Sequence, residues 1–128
     1  MKASFVTLLL ATILSQTAFA HGMNKAGPNG GYVRMPGDYH VELVSKDKDI
    51  MVYFLDMMFR PIAIDQASVT LSLNGTKSFK TACVKEAKSF VCHLKGESLS
   101  NYKEAVLETT KNGKAVAKSS YKLPLSFM

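Results

Sequence analysis

Short segments of alternating apolar and polar residues, separated by turn signals, constrain the fold of this chain most strongly. Ser68 to Leu73 alternates in this way and is followed by Asn74-Gly75. Glu104 to Thr110 and Lys114 to Lys122 flank Asn112-Gly113. Alternation with a period of two indicates a strand that buries one face, and Asn-Gly favours the tight turn of a β-hairpin. These regions predict two hairpins.

The preceding part of the chain follows the same pattern. Pro36-Gly37-Asp38 and Asp47-Lys48-Asp49 are turn signals, and Ile50 to Leu55 is apolar on both faces, which is typical of a central strand. No segment shows a helical period. We therefore predict an all-β fold, an antiparallel, immunoglobulin-like β-sandwich of seven or eight short strands. The remaining candidate strands are Tyr32 to Met35, Tyr39 to Lys46, Phe79 to Lys85 and Phe90 to Leu94.

The N-terminus has the pattern of a secretory signal peptide. Met1-Lys2 is positive, Phe5 to Leu14 is apolar, and Ala18 and Ala20 occupy the small-residue positions that a signal peptidase recognises. The apolar run is short for a membrane span, and no second one follows. We predict a signal peptide at residues 1–20, a flexible N-terminal arm at residues 21–31 and a β-sandwich domain at residues 32–128. The mature protein is expected in the periplasm, without a membrane span.

Charge and motifs narrow the possible functions. The 128-residue chain has a formal net charge of +6, but its basic residues are dispersed and form no motif interleaved with aromatic residues. This pattern argues against nucleic acid as a partner. The sequence contains no serine elbow, no H-E-x-x-H and no phosphate loop. Asp38, Glu42, Asp47, Asp49, Asp56 and Asp65 have the context of turn or surface residues. We expect no enzymatic activity.

Cys83 and Cys92 are the only cysteines. With Ala87-Lys88 as a two-residue hairpin loop, they lie directly opposite each other, at a separation that a disulfide accepts. An oxidising compartment preserves such a bond. The competing interpretation is a metal or redox site that includes His93. Alternation directs His93 and Cys92 to opposite faces, and there is no C-x-x-C pair, so we predict a structural disulfide.

Histidine and methionine side chains are the candidate ligands of a metal. Signal cleavage leaves His21 at the new N-terminus, where its α-amine and imidazole can chelate one ion. Thioether sulfur favours Cu(I), and imidazole suits copper as well. Each residue also has an ordinary explanation: Met35 as core padding, His40 as an exposed histidine, and Met57-Met58 as an apolar cap over one end of the sandwich. The candidate ligands of the copper site are His21, Met23, Met35, His40, Met57 and Met58.

Several motifs resemble a known family. Gly27-Pro28-Asn29-Gly30-Gly31, Tyr39-His40-Val41-Glu42-Leu43 and Arg60-Pro61-Ile62 follow in the order seen in a small periplasmic β-sandwich domain. That domain occurs alone or joined to heavy-metal efflux adaptor proteins. The resemblance implies that His21-Gly22 begins the family's histidine-rich arm and that His40 is its strand histidine. Asp56-Met57-Met58 stands where the family often has Asp-His-Asp, a departure toward thioether ligands. A looser similarity is to periplasmic copper-resistance β-sandwich proteins.

These observations give two functional hypotheses. The first is an exported, non-enzymatic protein that binds or delivers a transition metal, copper above all, in metal efflux or homeostasis, with a periplasmic efflux component as its partner. The second is a small envelope module that docks another protein through its loops or an edge strand and has no role in metal binding. The sequence assigns no role to His93.

Overall fold

The computed structural model describes residues 26–127, which form two antiparallel β-sheets. The all-β sandwich predicted from the alternation is confirmed. Apart from one 3₁₀ turn at Leu99–Asn101, these residues contain no helix, and none of them forms a helix long and apolar enough to cross a membrane. The strands are β1 (Tyr32–Arg34), β2 (His40–Lys46), β3 (Asp49–Leu55), β4 (Ala67–Asn74), β5 (Ser78–Ala82), β6 (Val84–Lys85), β7 (Phe90–His93), β8 (Glu104–Lys111) and β9 (Lys114–Lys122).

The core lies between a five-stranded sheet, in the order β1-β2-β3-β7-β6, and a four-stranded sheet, in the order β5-β4-β8-β9. Strand β3, apolar on both faces, occupies the centre of the larger sheet, as its sequence predicts. Alternate residues of β2, β3, β4 and β8 enter the core, and the most completely buried side chains include Leu43, Ile50, Leu71 and Leu107. Burial of each such side chain stabilises the fold by about 1.5–3 kcal/mol.

The two Asn-Gly hairpins differ in their loops. Lys111 pairs with Lys114, so Asn112 and Gly113 form a two-residue loop, with φ angles of 53° and 78°. These angles are the positive φ pair that Asn-Gly accepts at low cost. Asn74 instead pairs with Ser78, which leaves a three-residue loop. The sequence correctly predicts both hairpins, but it does not predict the longer loop of the hairpin at Asn74-Gly75.

The segment Phe79 to Lys85, predicted as one strand, is divided between the two sheets. Strand β5 pairs with β4, whereas in β6 Val84 pairs with Val91 of β7. At the crossing point the backbone N–H of Cys83 still donates to Val69 O of the four-stranded sheet, at 2.8 Å. The described residues therefore form nine strands rather than seven or eight, because one segment serves two sheets.

The predicted disulfide between Cys83 and Cys92 is confirmed. Cys92 is fully buried in β7, so the bond attaches the crossing point to the interior of the five-stranded sheet. A second link between the sheets is the hydroxyl of Tyr121 in β9, which donates to Val41 O of β2 at 3.0 Å. Burial raises the pKa of Tyr121, which keeps this hydroxyl protonated as the donor.

Candidate functional site

The outer face of strand β2 holds two buried polar side chains. Val41 and Leu43 face the core, so His40 and Glu42 lie on the opposite face of the sheet. They are nevertheless only 8% and 0% exposed. The prediction that Glu42 is a turn or surface residue is therefore wrong, and so is the interpretation of His40 as an exposed histidine. Alternation predicts the face correctly but not the two segments that cover it.

Glu42 is covered by a turn formed by residues 27–31. Its carboxylate accepts hydrogen bonds from the backbone N–H of Asn29 at 3.0 Å, from the Asn29 side-chain amide at 2.8 Å and from the backbone N–H of Gly31 at 2.7 Å. Bonds to an ionised acceptor are stronger than those between neutral groups. The last residues of the predicted arm are thus attached to the sheet, whereas residues 21–25 lie outside the described part of the chain.

Glycine is required where this turn touches the sheet. A Cβ atom at Gly27 would lie 2.6 Å from Val33 Cγ2 and 2.7 Å from Glu42 Cδ, closer than carbon atoms pack. Contact with the buried carboxylate therefore explains the glycine at position 27. The contact between Gly27 and Glu42 also places the start of the described chain over the outer face of the five-stranded sheet.

His40 is covered by a loop at residues 56–60. One carboxylate oxygen of Asp56 accepts hydrogen bonds from the backbone N–H groups of Met58 at 2.8 Å and Arg60 at 2.9 Å, and the other accepts from Arg60 Nε at 2.8 Å. The Arg60 backbone N–H above all, aided by the Met58 N–H and the guanidinium, lowers the pKa of Asp56. The Asp56 side chain therefore braces the loop, because it bonds to two other residues of the same loop.

The braced loop fixes the orientation of the His40 ring. The main-chain carbonyl of Asp56 lies 3.1 Å from His40 Nδ1, and the Phe59 ring stacks on the imidazole with a centroid separation of 4.4 Å and an interplanar angle of 22°. A carbonyl only accepts, so Nδ1 is the donor. In the neutral imidazole the lone pair is then on Nε2, which makes no hydrogen bond within residues 26–127.

The predicted methionine ligands lie in two places. Met57 and Met58, at the tip of the loop that covers His40, are 55% and 72% exposed. This exposure is contrary to the apolar-cap interpretation of Met57-Met58, and it is Phe59 that packs inward, on the His40 ring. Met35 is half-buried and lines a separate cleft beside β9. His21 and Met23 lie outside the described residues.

His93 lies apart from the candidate ligands. Its Nδ1 is 2.9 Å from Asp49 Oδ1, and its side chain is exposed, whereas Cys92 is fully buried. The prediction that these two neighbours point to opposite faces is confirmed. Within residues 26–127, no group of three histidine, cysteine, aspartate or glutamate side chains is placed to hold a metal ion.

Sequence reasoning did not identify Glu42, Asn29 and Phe59 as parts of this region. A signal for the first two was present: a carboxylate within an apolar strand, preceded by a Gly-Asn-rich turn whose N–H groups need acceptors. Phe59 gave no comparable signal, because its role depends on a left-handed backbone conformation, with φ of 62°, that few phenylalanines adopt.

The fold and this region define a class: a small two-sheet β-sandwich whose outer face orients one buried histidine beneath a braced, methionine-tipped loop. Comparison with protein-family models, with curated proteins and with solved structures found no match. The resemblance to the periplasmic efflux-associated domain therefore stays a prediction that depends on the motifs quoted above.

Proposed function

We propose that this protein is an exported, non-enzymatic protein that binds or delivers copper, with His40 as the fixed ligand of the site. The observation that carries the proposal is the hydrogen bond of His40 Nδ1 to the Asp56 carbonyl. Metal-binding histidines in proteins usually donate their second ring N–H to a carbonyl or carboxylate, which fixes the tautomer and directs the other nitrogen to the metal.

The geometry of the 27–31 turn supports the participation of His21. Gly27 lies against Glu42, and Glu42 is two residues from His40 on the same face of β2, a separation of about 7 Å. The six residues 21–26 span up to about 20 Å when extended. An N-terminal His21 therefore has ample reach to bring its α-amine and imidazole to the nitrogen of His40.

The chemistry of the nearby side chains favours copper among the transition metals. Nitrogen from two histidines and an α-amine suits copper, and thioether sulfur from Met57 and Met58 stabilises its reduced form. Met23 is a further thioether on the arm, and Met35 directly follows Arg34, which pairs with Val41 beside His40. In this proposal the methionine-tipped loop gives copper an exposed side from which a partner in metal efflux can take it.

The test is a copper titration of the mature protein in which the two histidines are replaced together. The variant His21→Ala with His40→Gln is expected to lose at least about tenfold in affinity, because two of the strongest donors are gone. The matched control is His93→Gln, which removes an exposed histidine elsewhere and should bind copper as the wild-type protein does.

A second readout does not depend on the variant folding correctly. Addition of copper to the wild-type protein should shift or broaden the ring signals of His40 before those of His93 in an NMR titration. Full copper affinity in the double variant, or a first effect at His93, would remove His40 from the site.

A further inference from the structure

A cleft of about 530 Å³ runs along the end of strand β9, and its lining includes neither His40 nor the 56–60 loop. One wall consists of Lys118 to Ser120 and Lys122, and the other of residues 34–36, which include the last residue of the short edge strand β1 and the two residues after it. Met35 and Pro36 give it an apolar side, and the buried hydroxyl residue Ser119 lies at its base. The cleft therefore combines apolar contact area with groups that can form hydrogen bonds.

Strand β9 is the outer strand of the four-stranded sheet. Its residues Lys114–Lys122 make it the longest strand of the described chain, and within residues 26–127 its only strand partner is β8. An edge strand of this kind presents backbone N–H and C=O groups that can pair with an added strand. Four of the residues 118–122 of that edge line the cleft, a length over which several ladder hydrogen bonds can form.

The charge of the cleft selects what can pair there. Four of its nine lining residues are basic, namely Arg34, Lys103, Lys118 and Lys122, and one, Glu104, is acidic. Within residues 26–127, none of the three lysines has a carboxylate within 4.0 Å. Glu104 and Glu108 do face Lys122 and Lys118, but from β8, on the inner side of the edge. With four basic residues against one acidic residue, the lining of the cleft has a net positive charge.

Lysines on an edge strand oppose pairing with a second copy of the same strand, because like charges would lie opposite each other. The same lysines favour an incoming strand that carries carboxylates. Lys118 and Lys122 project from the same face of β9, four residues apart, so glutamates at that spacing on an added strand would each meet one lysine.

We propose that this cleft is a docking site for an extended, carboxylate-rich peptide segment of another protein, which adds to the free edge of β9 and places its acidic side chains against Lys118 and Lys122. The site includes neither His40 nor the 56–60 loop, although it shares Met35 with the candidate copper ligands. It gives the protein a surface for recognition of a partner, in addition to the metal that we propose it carries.

The probe is a short fluorescent peptide in which glutamate and threonine alternate, titrated into the purified protein at low salt. Replacement of Lys118 and Lys122 together by glutamate should weaken binding at least about tenfold. The matched control, Lys80→Glu with Lys114→Glu, makes the same change of charge at exposed positions outside the cleft and should bind as the wild-type protein does.

Hydrogen exchange of the wild-type protein provides the second measurement and requires no variant. On peptide binding, those amides of residues 118–122 that point away from β8 should gain protection, because an added strand accepts their hydrogen bonds. Equal loss of binding in both double variants, equal affinity for a peptide with glutamine in place of glutamate, or displacement by inorganic phosphate without protection of β9 would each overturn the proposal.

Discussion

Two tyrosine hydroxyls differ in how their hydrogen-bonding capacity is met. The hydroxyl of Tyr121 bonds to the carbonyl of Val41 across the sandwich. The hydroxyl of Tyr39 is also buried but has no partner within residues 26–127, and its ring packs edge-on against Phe54 with centroids 5.5 Å apart. Burial, with a smaller contribution from Asp38, raises the pKa of Tyr39. A buried hydroxyl without a partner stabilises nothing.

This difference predicts opposite effects for the same substitution. Tyr121→Phe should lower the free energy of unfolding by about 1 kcal/mol, because it removes a made hydrogen bond. Tyr39→Phe should leave the free energy of unfolding unchanged or raise it by up to about 1 kcal/mol, because the hydroxyl that it removes is buried without a hydrogen-bond partner. Urea denaturation of the two variants measures both values. A larger loss for Tyr39→Phe than for Tyr121→Phe would contradict the contacts described here.

Glu42 is the residue on which the N-terminal turn depends. Glu42→Gln replaces an ionised acceptor of three hydrogen bonds by an amide with a single acceptor oxygen, and should lower the free energy of unfolding by about 2 kcal/mol. The matched control is Glu108→Gln, at an exposed position of β8. Thermal or urea unfolding measures the effect. Equal stability of the two variants would show that Glu42 does not hold the turn.

At the scale of elements, the sequence predicts the structural features that depend on local pattern. It does not predict those that depend on contacts with segments distant in the chain. The central position of β3 and the two-residue loop at Asn112-Gly113 follow from apolar faces and turn chemistry, and both are confirmed. The division of Phe79 to Lys85 between two sheets has no local signal, because the segment contains no glycine or proline at the point where it changes sheets. The burial of His40 is missed for the same reason, since its cover comes from residues 56–60.

The disulfide is expected to stabilise the point where the chain changes sheets. The bond closes a loop with a sequence separation of nine residues, and a loop of that size predicts a loss of about 2–3 kcal/mol when the bond is absent. Reduction of the wild-type protein should lower its melting temperature toward that of Cys83→Ala with Cys92→Ala. That double variant should not respond to the reductant, and insensitivity of the wild-type protein would contradict this role.

The 56–60 loop should be sensitive to acid. The folded state lowers the pKa of Asp56, so its stabilising contribution is complete above the ordinary carboxyl pKa of about 4 and is lost as pH falls through the lower folded value. The amide signals of Met58 and Arg60, and the ring signals of Phe59, should move toward unstructured positions in that range. Asp56→Asn keeps an acceptor oxygen but cannot titrate, so this acid transition should be absent. Its persistence in that variant would assign it to another group.

At the scale of the whole molecule, the two faces of the five-stranded sheet have different tasks. The inner face packs against the second sheet, and the two sheets together supply the core. The outer face holds the 27–31 turn and the 56–60 loop, each attached through a buried polar side chain of β2. In our proposal this rigid face orients His40 and brings the N-terminal arm to it, so that copper binding depends on the position of the mature N-terminus.

The most direct test compares two forms of the mature protein, one that begins at His21 and one with a single extra residue before it. The extra residue displaces the α-amine from His21 and leaves the sandwich unchanged. We predict tight binding of one copper ion per chain by the first form and an affinity at least about tenfold lower in the second. Weak binding that is the same in both forms would contradict the copper site.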